Sequence, residues 1–143
     1  MKNPFHLAIQ VRDVEEARLF FVDHFGCSEG RRDDQWIDLN FFGHQLVCHL
    51  NAELNNSDEI SIVKNSVDGF GVPVPHFGVI LEMDQWQKLA NRLKTKNFLF
   101  IIEPYIRFKG QSGEQATMFF SDPSGNAIEI KAFRNIDAQL FAK

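Results

Sequence analysis

The sequence predicts an α+β protein built from two tandem copies of one βαβββ module. Three observations carry this expectation. The stretches Phe5-His6-Leu7-Ala8-Ile9-Gln10-Val11 and Pro75-His76-Phe77-Gly78-Val79-Ile80-Leu81 match closely, and both alternate in the manner of a half-buried strand. Each runs into an aspartate, Asp13 or Asp84, followed three residues later by Glu16 or Gln87, a variant of the helix capping box. Each half then holds a turn suited to a hairpin, Gly43-His44 in the first and Asp122-Pro123-Ser124-Gly125 in the second.

On the first strand Phe5, Leu7, Ile9 and Val11 share an apolar face, while His6, Ala8, Gln10 and Arg12 share the other. The first helix starts at Asp13 and ends at Gly26, with Val14, Ala17, Phe21 and Phe25 as its core-facing stripe. Strands at about 28–33, 35–42 and 45–51 complete this half. A polar connection follows, containing Asn55-Asn56-Ser57-Asp58 and Asp68-Gly69-Phe70-Gly71, in which Ile60, Ile62 and Val63 are expected to form a short docked segment. In the second half Phe77, Val79, Leu81 and Met83 oppose His76, Gly78, Ile80 and Glu82. The second helix, capped by Asp84, presents Trp86, Leu89, Ala90 and Leu93 and ends near Asn97. Strands at about 98–103, 114–121 and 126–132 follow. The extra length of this half falls in a loop from Glu103-Pro104 to Gly113.

The expected organisation is a single domain over residues 1–143: module one at about 4–51, a connection at about 52–74, module two at about 75–134, and a C-terminal segment 135–143. The length and an apolar share of 44% suffice for one core. Fifteen basic against 19 acidic residues, a net charge of −4, leave no footprint for nucleic-acid phosphates. No basic-then-apolar leader and no run long enough to cross a bilayer is visible, so a cytoplasmic protein with no membrane partner is expected. Cys27 and Cys48 lack the spacing of a zinc knuckle or redox pair and are expected to be reduced, with Cys48 buried.

His6 and His76 occupy repeat-related positions and point away from the apolar side. Glu129 sits in an apolar strand between Ile128 and Ile130, where a carboxylate is costly unless paired or coordinated. Two imidazoles and one carboxylate with open positions are the donor set of non-haem Fe(II) oxygenases. The plainer alternative gives Glu129 an ion pair with Lys131 or an arginine and each histidine a backbone carbonyl. Val47 lies at Glu129's place in the repeat, and His49, two residues on, shares its face with Gln45. His49 is thus a fourth ligand, a general base or a cavity-lining residue. The loop with Tyr105, Arg107 and Lys109 is either a lid that binds an anionic group or an ordinary surface loop. Trp36, Asp38 and Asn40, and Gln115, Thr117 and Phe119, form two candidate pocket-lining sets. His44 belongs to an exposed turn, and His24 suits the last turn of a helix without any function.

The pairing of Phe5-His6-Leu7-Ala8 with Pro75-His76-Phe77-Gly78, closed by Asp122-Pro123-Ser124-Gly125-Asn126-Ala127-Ile128-Glu129, resembles the vicinal oxygen chelate superfamily. That superfamily includes glyoxalase I, extradiol dioxygenases, fosfomycin-resistance enzymes and bleomycin-binding proteins, and the chain looks most like its short bacterial dioxygenase-like members. The resemblance implies paired curved mixed sheets around a metal cavity, with His6, His76 and Glu129 as ligands. It also implies a divalent metal, Fe(II) being favoured over Zn, Ni or Mn, and a small-molecule substrate bound through vicinal oxygens. The favoured activity is an extradiol-type ring-cleavage dioxygenase, with His49 and Tyr105 managing protons and Arg107, Lys109 and Trp36 contacting substrate. One alternative is a glyoxalase-type lyase in which His49 completes a four-ligand site, although no carboxylate lies between Asn40 and Ala52 where glyoxalase I has a ligand. The other is a non-catalytic, drug-binding protein of the bleomycin-resistance kind. A homodimer is expected, with Asn135 to Phe141 as a short helix at its interface.

Overall fold

A computed structural model of the chain describes residues 3–55 and 63–143. The first half contains β1 (His6–Val11), α1 (Val14–Phe25), β2 (Ser28–Arg32), β3 (Trp36–Phe41) and β4 (His44–Leu50). A 3-10 turn at Ala52–Asn55 and a hairpin of β5 (Val63–Val67) and β6 (Phe70–Val74) follow. The second half contains β7 (Phe77–Glu82), α2 (Met83–Thr95), β8 (Ile102–Arg107), β9 (Gln115–Ser121) and β10 (Ala127–Phe133), ending in α3 (Ile136–Gln139). The two four-stranded sheets have the same order, β1-β4-β3-β2 and β7-β10-β9-β8. In each the first strand pairs with the last in parallel and the other neighbours pair antiparallel. The expected α+β fold of two βαβββ modules is the observed one.

The chain divides into two compact units, Met1–Ser61 with Asp122–Asn126, and Ile62–Ser121 with Ala127–Lys143. In the first, α1 lays Val14, Ala17, Phe21 and Phe25 on the apolar face of its sheet, where Phe21 meets the Phe41 ring edge-on at 5.9 Å. Its start is capped as expected: the Glu16 N–H donates to Asp13 Oδ1 at 2.7 Å, and Gly26 ends it in the left-handed region at φ 67°. Cys27 and Cys48 are buried here as free thiols, and burial pushes each up to about 12. In the second unit α2 buries Trp86, Leu89, Ala90 and Leu93, and the Trp86 indole donates to the Ile130 carbonyl at 2.9 Å. Such a donor must find a partner when its ring is buried.

Several elements differ from the sequence reading. Phe5 lies ahead of β1 and is 65% exposed rather than part of the core face. The β3–β4 turn is Phe42-Gly43, both at positive φ, so His44 begins β4 and its Nδ1 accepts the Phe5 N–H at 2.9 Å. Asp84 does not cap α2: β7 runs straight into the helix, Glu82 holds the cap position without a side-chain bond, and Asp84 falls in the first turn. Its charge there still suits the helix dipole. Asn97 does take the left-handed conformation, at φ 53°. The expected strand at 98–103 forms instead at Ile102–Arg107. Phe98 and Phe100 ahead of it pack as rings, Phe98 against Phe120 at 5.2 Å, and so never enter the ladder.

The connection is more structured than its polar composition suggests. β5 and β6 turn at Asp68-Gly69, both at positive φ, and Val72 packs with Ile102 and Phe119. Ile60 and Ile62 of the expected docked segment lie outside the described residues, as do Asn56, Ser57 and Asp58; Val63 opens β5 and is exposed. Among the described residues no helix is long and apolar enough to cross a membrane.

Glu114 fastens the loop after β8. Only 4% exposed, it accepts the Gly110 N–H and an Arg134 guanidinium N–H, each at 2.6 Å. These two contacts hold its carboxyl below the usual range. A depressed carboxyl contributes stability above its unfolded pKa and loses it as the pH falls through the folded one. Thermal unfolding followed from pH 7 downward should therefore show Glu114→Gln less stable than the parent at neutral pH. The gap should begin to narrow as the pH falls past about 4.5, the ordinary glutamate value, and close only below the lower value of the folded protein.

Candidate metal centre

The second sheet holds a close pair of candidate donors, His76 and Glu129. Its ladder places Glu129 opposite Gly78 on one side and Phe119 on the other. A Cβ at residue 78 would run into the Glu129 carbonyl oxygen and stand 2.6 Å from its carbonyl carbon, so only glycine lets β7 lie this close to β10. His76, just ahead of β7, directs Nε2 to 3.1 Å from Glu129 Oε2. Its Nδ1 lies 2.6 Å from the Pro73 carbonyl oxygen, and its ring edge meets Phe119 at 5.1 Å between centroids. The second carboxylate oxygen, Oε1, accepts the Thr117 hydroxyl at 2.6 Å.

These contacts determine the proton positions. A carbonyl oxygen can only accept, so His76 Nδ1 carries a hydrogen and the neutral ring presents a lone pair at Nε2. That lone pair faces a carboxylate oxygen, an arrangement satisfied by a proton shared between the two groups or by a metal. A ligating histidine whose other nitrogen donates to a carbonyl is the usual outer-shell arrangement of protein metal sites. Glu129 does not pair with Lys131, whose ammonium lies over the Phe133 ring at 5.8 Å.

His6 repeats the device in the first unit. It is exposed on β1, and its Nδ1 lies 2.7 Å from the amide oxygen of Gln45, its ladder partner, so that Nδ1 donates and the neutral ring again presents a lone pair at Nε2. The two ladders also fix the repeat. Ala8 pairs with Val47 as Gly78 pairs with Glu129, and Gln10 pairs with His49 as Ile80 pairs with Lys131. His49 is exposed, shares its sheet face with His6 and sits beside half-buried Trp36. It does not occupy the carboxylate's place. Asp38 and Asn40 lie on this face too, and Gln115, Thr117 and Phe119 share the Glu129 face.

Tyr105 and Arg107 do not belong to a loop. They lie on β8, opposite Thr117 and Gln115, and both are tied to Asp68 at the tip of the β5–β6 hairpin. The Tyr105 hydroxyl donates to Asp68 Oδ2 at 3.2 Å, and Arg107 pairs with the same carboxylate through Nε and Nη2. Burial, then the contact with Asp68, raises the Tyr105 pKa and keeps the phenol protonated. Lys109 is exposed in the short loop beyond. Asp68 and Pro73 went unread in the sequence because Asp-Gly signals only a turn and a backbone carbonyl has no sequence signature. Gln45 stands out in the sequence only as a neighbour of His49 in alternation. Among the described residues no group of three or more His, Cys, Asp or Glu side chains is gathered as a metal would require.

A mixed four-stranded sheet with a helix on one face, made twice, defines a protein of the βαβββ class. The profile of the Glyoxalase/Bleomycin resistance protein/Dioxygenase superfamily matches residues 4–130, and the chain belongs to that superfamily. Among solved structures it is similar to a glyoxalase/bleomycin resistance protein/dioxygenase from Alicyclobacillus acidocaldarius, with 34% identity over 95% of each chain and a TM-score of 0.73. The fold is shared with the fosfomycin resistance protein FosX of Listeria monocytogenes (14% identity, 93% and 94% coverage, TM-score 0.65). It is also shared with a lactoylglutathione lyase from Agrobacterium tumefaciens (14% identity, 100% and 98% coverage, TM-score 0.63). No curated protein matches the chain.

Proposed function

We propose that this chain is an extradiol-type dioxygenase that holds Fe(II) through His6, His76 and Glu129 and binds a small catechol-like substrate by its two neighbouring oxygens. The observation that carries the reading is the His76–Glu129 pair, an imidazole nitrogen and a carboxylate oxygen 3.1 Å apart that a metal could join. The Val47 position supports three protein ligands rather than four, which leaves coordination places for substrate oxygens and dioxygen. Bound there, the metal supplies Lewis acidity toward the substrate hydroxyl.

The residues supply the rest. His49, on the His6 face, takes the proton from a substrate hydroxyl, and Trp36 beside it offers a ring for the aromatic substrate. Tyr105 stays protonated and serves as a hydrogen-bond donor rather than a base. Arg107, oriented by Asp68, and Lys109 favour an anionic substituent. The reading treats residues 1–143 as one functional domain, acting in the cytoplasm as a homodimer.

Protein purified without oxygen and loaded with Fe(II) should consume oxygen when given catechols and release ring-opened products. An iron-loaded preparation that takes up no oxygen across a broad catechol panel overturns the proposal. Turnover of a glutathione hemithioacetal with Ni or Zn would assign the chain to the lyases instead.

A further inference from the structure

We infer that Thr117 is the positioning residue that makes Glu129 bind its metal through a single oxygen; this rests on the metal reading above. Thr117 is only 5% exposed, and its ladder partners are Lys131 and Tyr105, not Glu129. Its hydroxyl reaches diagonally across the β9–β10 pair to Glu129 Oε1 at 2.6 Å. An ionised carboxylate only accepts, so the hydroxyl is the donor, and a bond this short to a charged oxygen is a strong one.

The two carboxylate oxygens are thereby given different tasks. Oε1 is engaged by Thr117, and Oε2 faces the free nitrogen of His76. Chelation by both oxygens would make Oε1 share its lone pairs between the metal and the Thr117 hydrogen, weakening both contacts, and would occupy a place otherwise open to substrate. A structural role for the threonine would need only a side chain that fills its space. The repeat argues for more: Trp36 pairs with His49 as Thr117 pairs with Lys131, so in the first module Trp36 stands at the threonine's place and Val47 at the glutamate's. The carboxylate and its hydroxyl partner are present together in one module and missing together from the other.

The test is titration of the metal-free protein with Co(II) alone, followed by affinity and by visible absorption, which responds to coordination number. Thr117→Val keeps the shape and removes the hydroxyl. It should weaken Co(II) binding about 10- to 100-fold and change the absorption spectrum, in variant protein whose metal-free form still folds and unfolds cooperatively. Thr117→Ser should restore both affinity and spectrum. Parent-like affinity and spectrum in Thr117→Val, with Co(II) binding lost in Glu129→Ala, would overturn the inference and leave the metal reading standing. Thr117→Ser behaving no better than Thr117→Val would also overturn it, since the methyl group rather than the hydroxyl would then matter. Unchanged Co(II) binding in Glu129→Ala would overturn the metal reading itself, and the inference with it.

Discussion

Gly78→Ala should destabilise the protein by about 3 kcal/mol or more and should disrupt metal binding at the same time. The added methyl meets backbone, the carbonyl oxygen of Glu129, so no side-chain rotation relieves it. Relief must come from moving β7 away from β10, which breaks the parallel ladder from Ile128 to Phe133. That ladder carries the core residues Val79, Leu81, Ile130 and Ala132. Denaturant unfolding of the metal-free variant measures the stability loss, and a loss below about 1 kcal/mol, the ordinary cost of a point substitution, would show that the strands are not packed as described. The same displacement separates His76 from Glu129, so affinity should fall even in variant protein that remains folded. Ala8, at the related place in the first module, is already alanine and carries no such constraint.

Glu129→Ala should abolish metal retention while leaving the fold intact. The carboxylate is the only anion in the proposed ligand set, and its loss also removes the acceptor of the Thr117 hydroxyl. The affinity loss should exceed the roughly 10- to 100-fold typical of outer-shell changes. Stabilisation by ligand follows RT ln(1 + [L]/Kd), about 2.7 kcal/mol at a hundredfold excess over Kd. The parent should therefore gain several degrees in melting temperature on adding Fe(II) or Co(II) at that level, and Glu129→Ala none. A metal-induced shift that survives in the variant would move the centre elsewhere. Glu129→Gln separates charge from shape: it can still accept from Thr117, yet it should bind metal no better than the alanine variant.

How much of this was legible in the chain depended on the physical signal. Alternation around His6 and His76 gave the strands and their polar faces, because a period of two leaves each side chain only two directions. Asp13 and Gly26 gave the ends of α1, since both are local devices. Asp84 misled, because a cap lies where the helix starts, and α2 begins at Met83 directly after β7, earlier than the alternation through Met83 implies. Phe98 and Phe100 have strand composition but are held by ring packing, and this displaced β8 and made a strand pair look like a lid. The repeat singles out His6, His76 and Glu129 as candidate donors. The hydrogen bonds that orient them could not be read from it, since Gln45, Thr117 and the Pro73 carbonyl act through contacts distant in sequence or on the backbone.

The matched ladders also bear on descent. Two copies of one ancestral module would have carried the same residue at the positions now held by Val47 and Glu129, which pair with Ala8 and Gly78. In the genetic code, one change at the middle base turns any valine codon into a glutamate or an aspartate codon. A single nucleotide change at residue 47 therefore separates this chain from one with a carboxylate in both modules. A lineage able to cross between donor sets so cheaply could diversify its chemistry without remaking the fold, and the position to compare among this chain's relatives is residue 47 rather than the histidines.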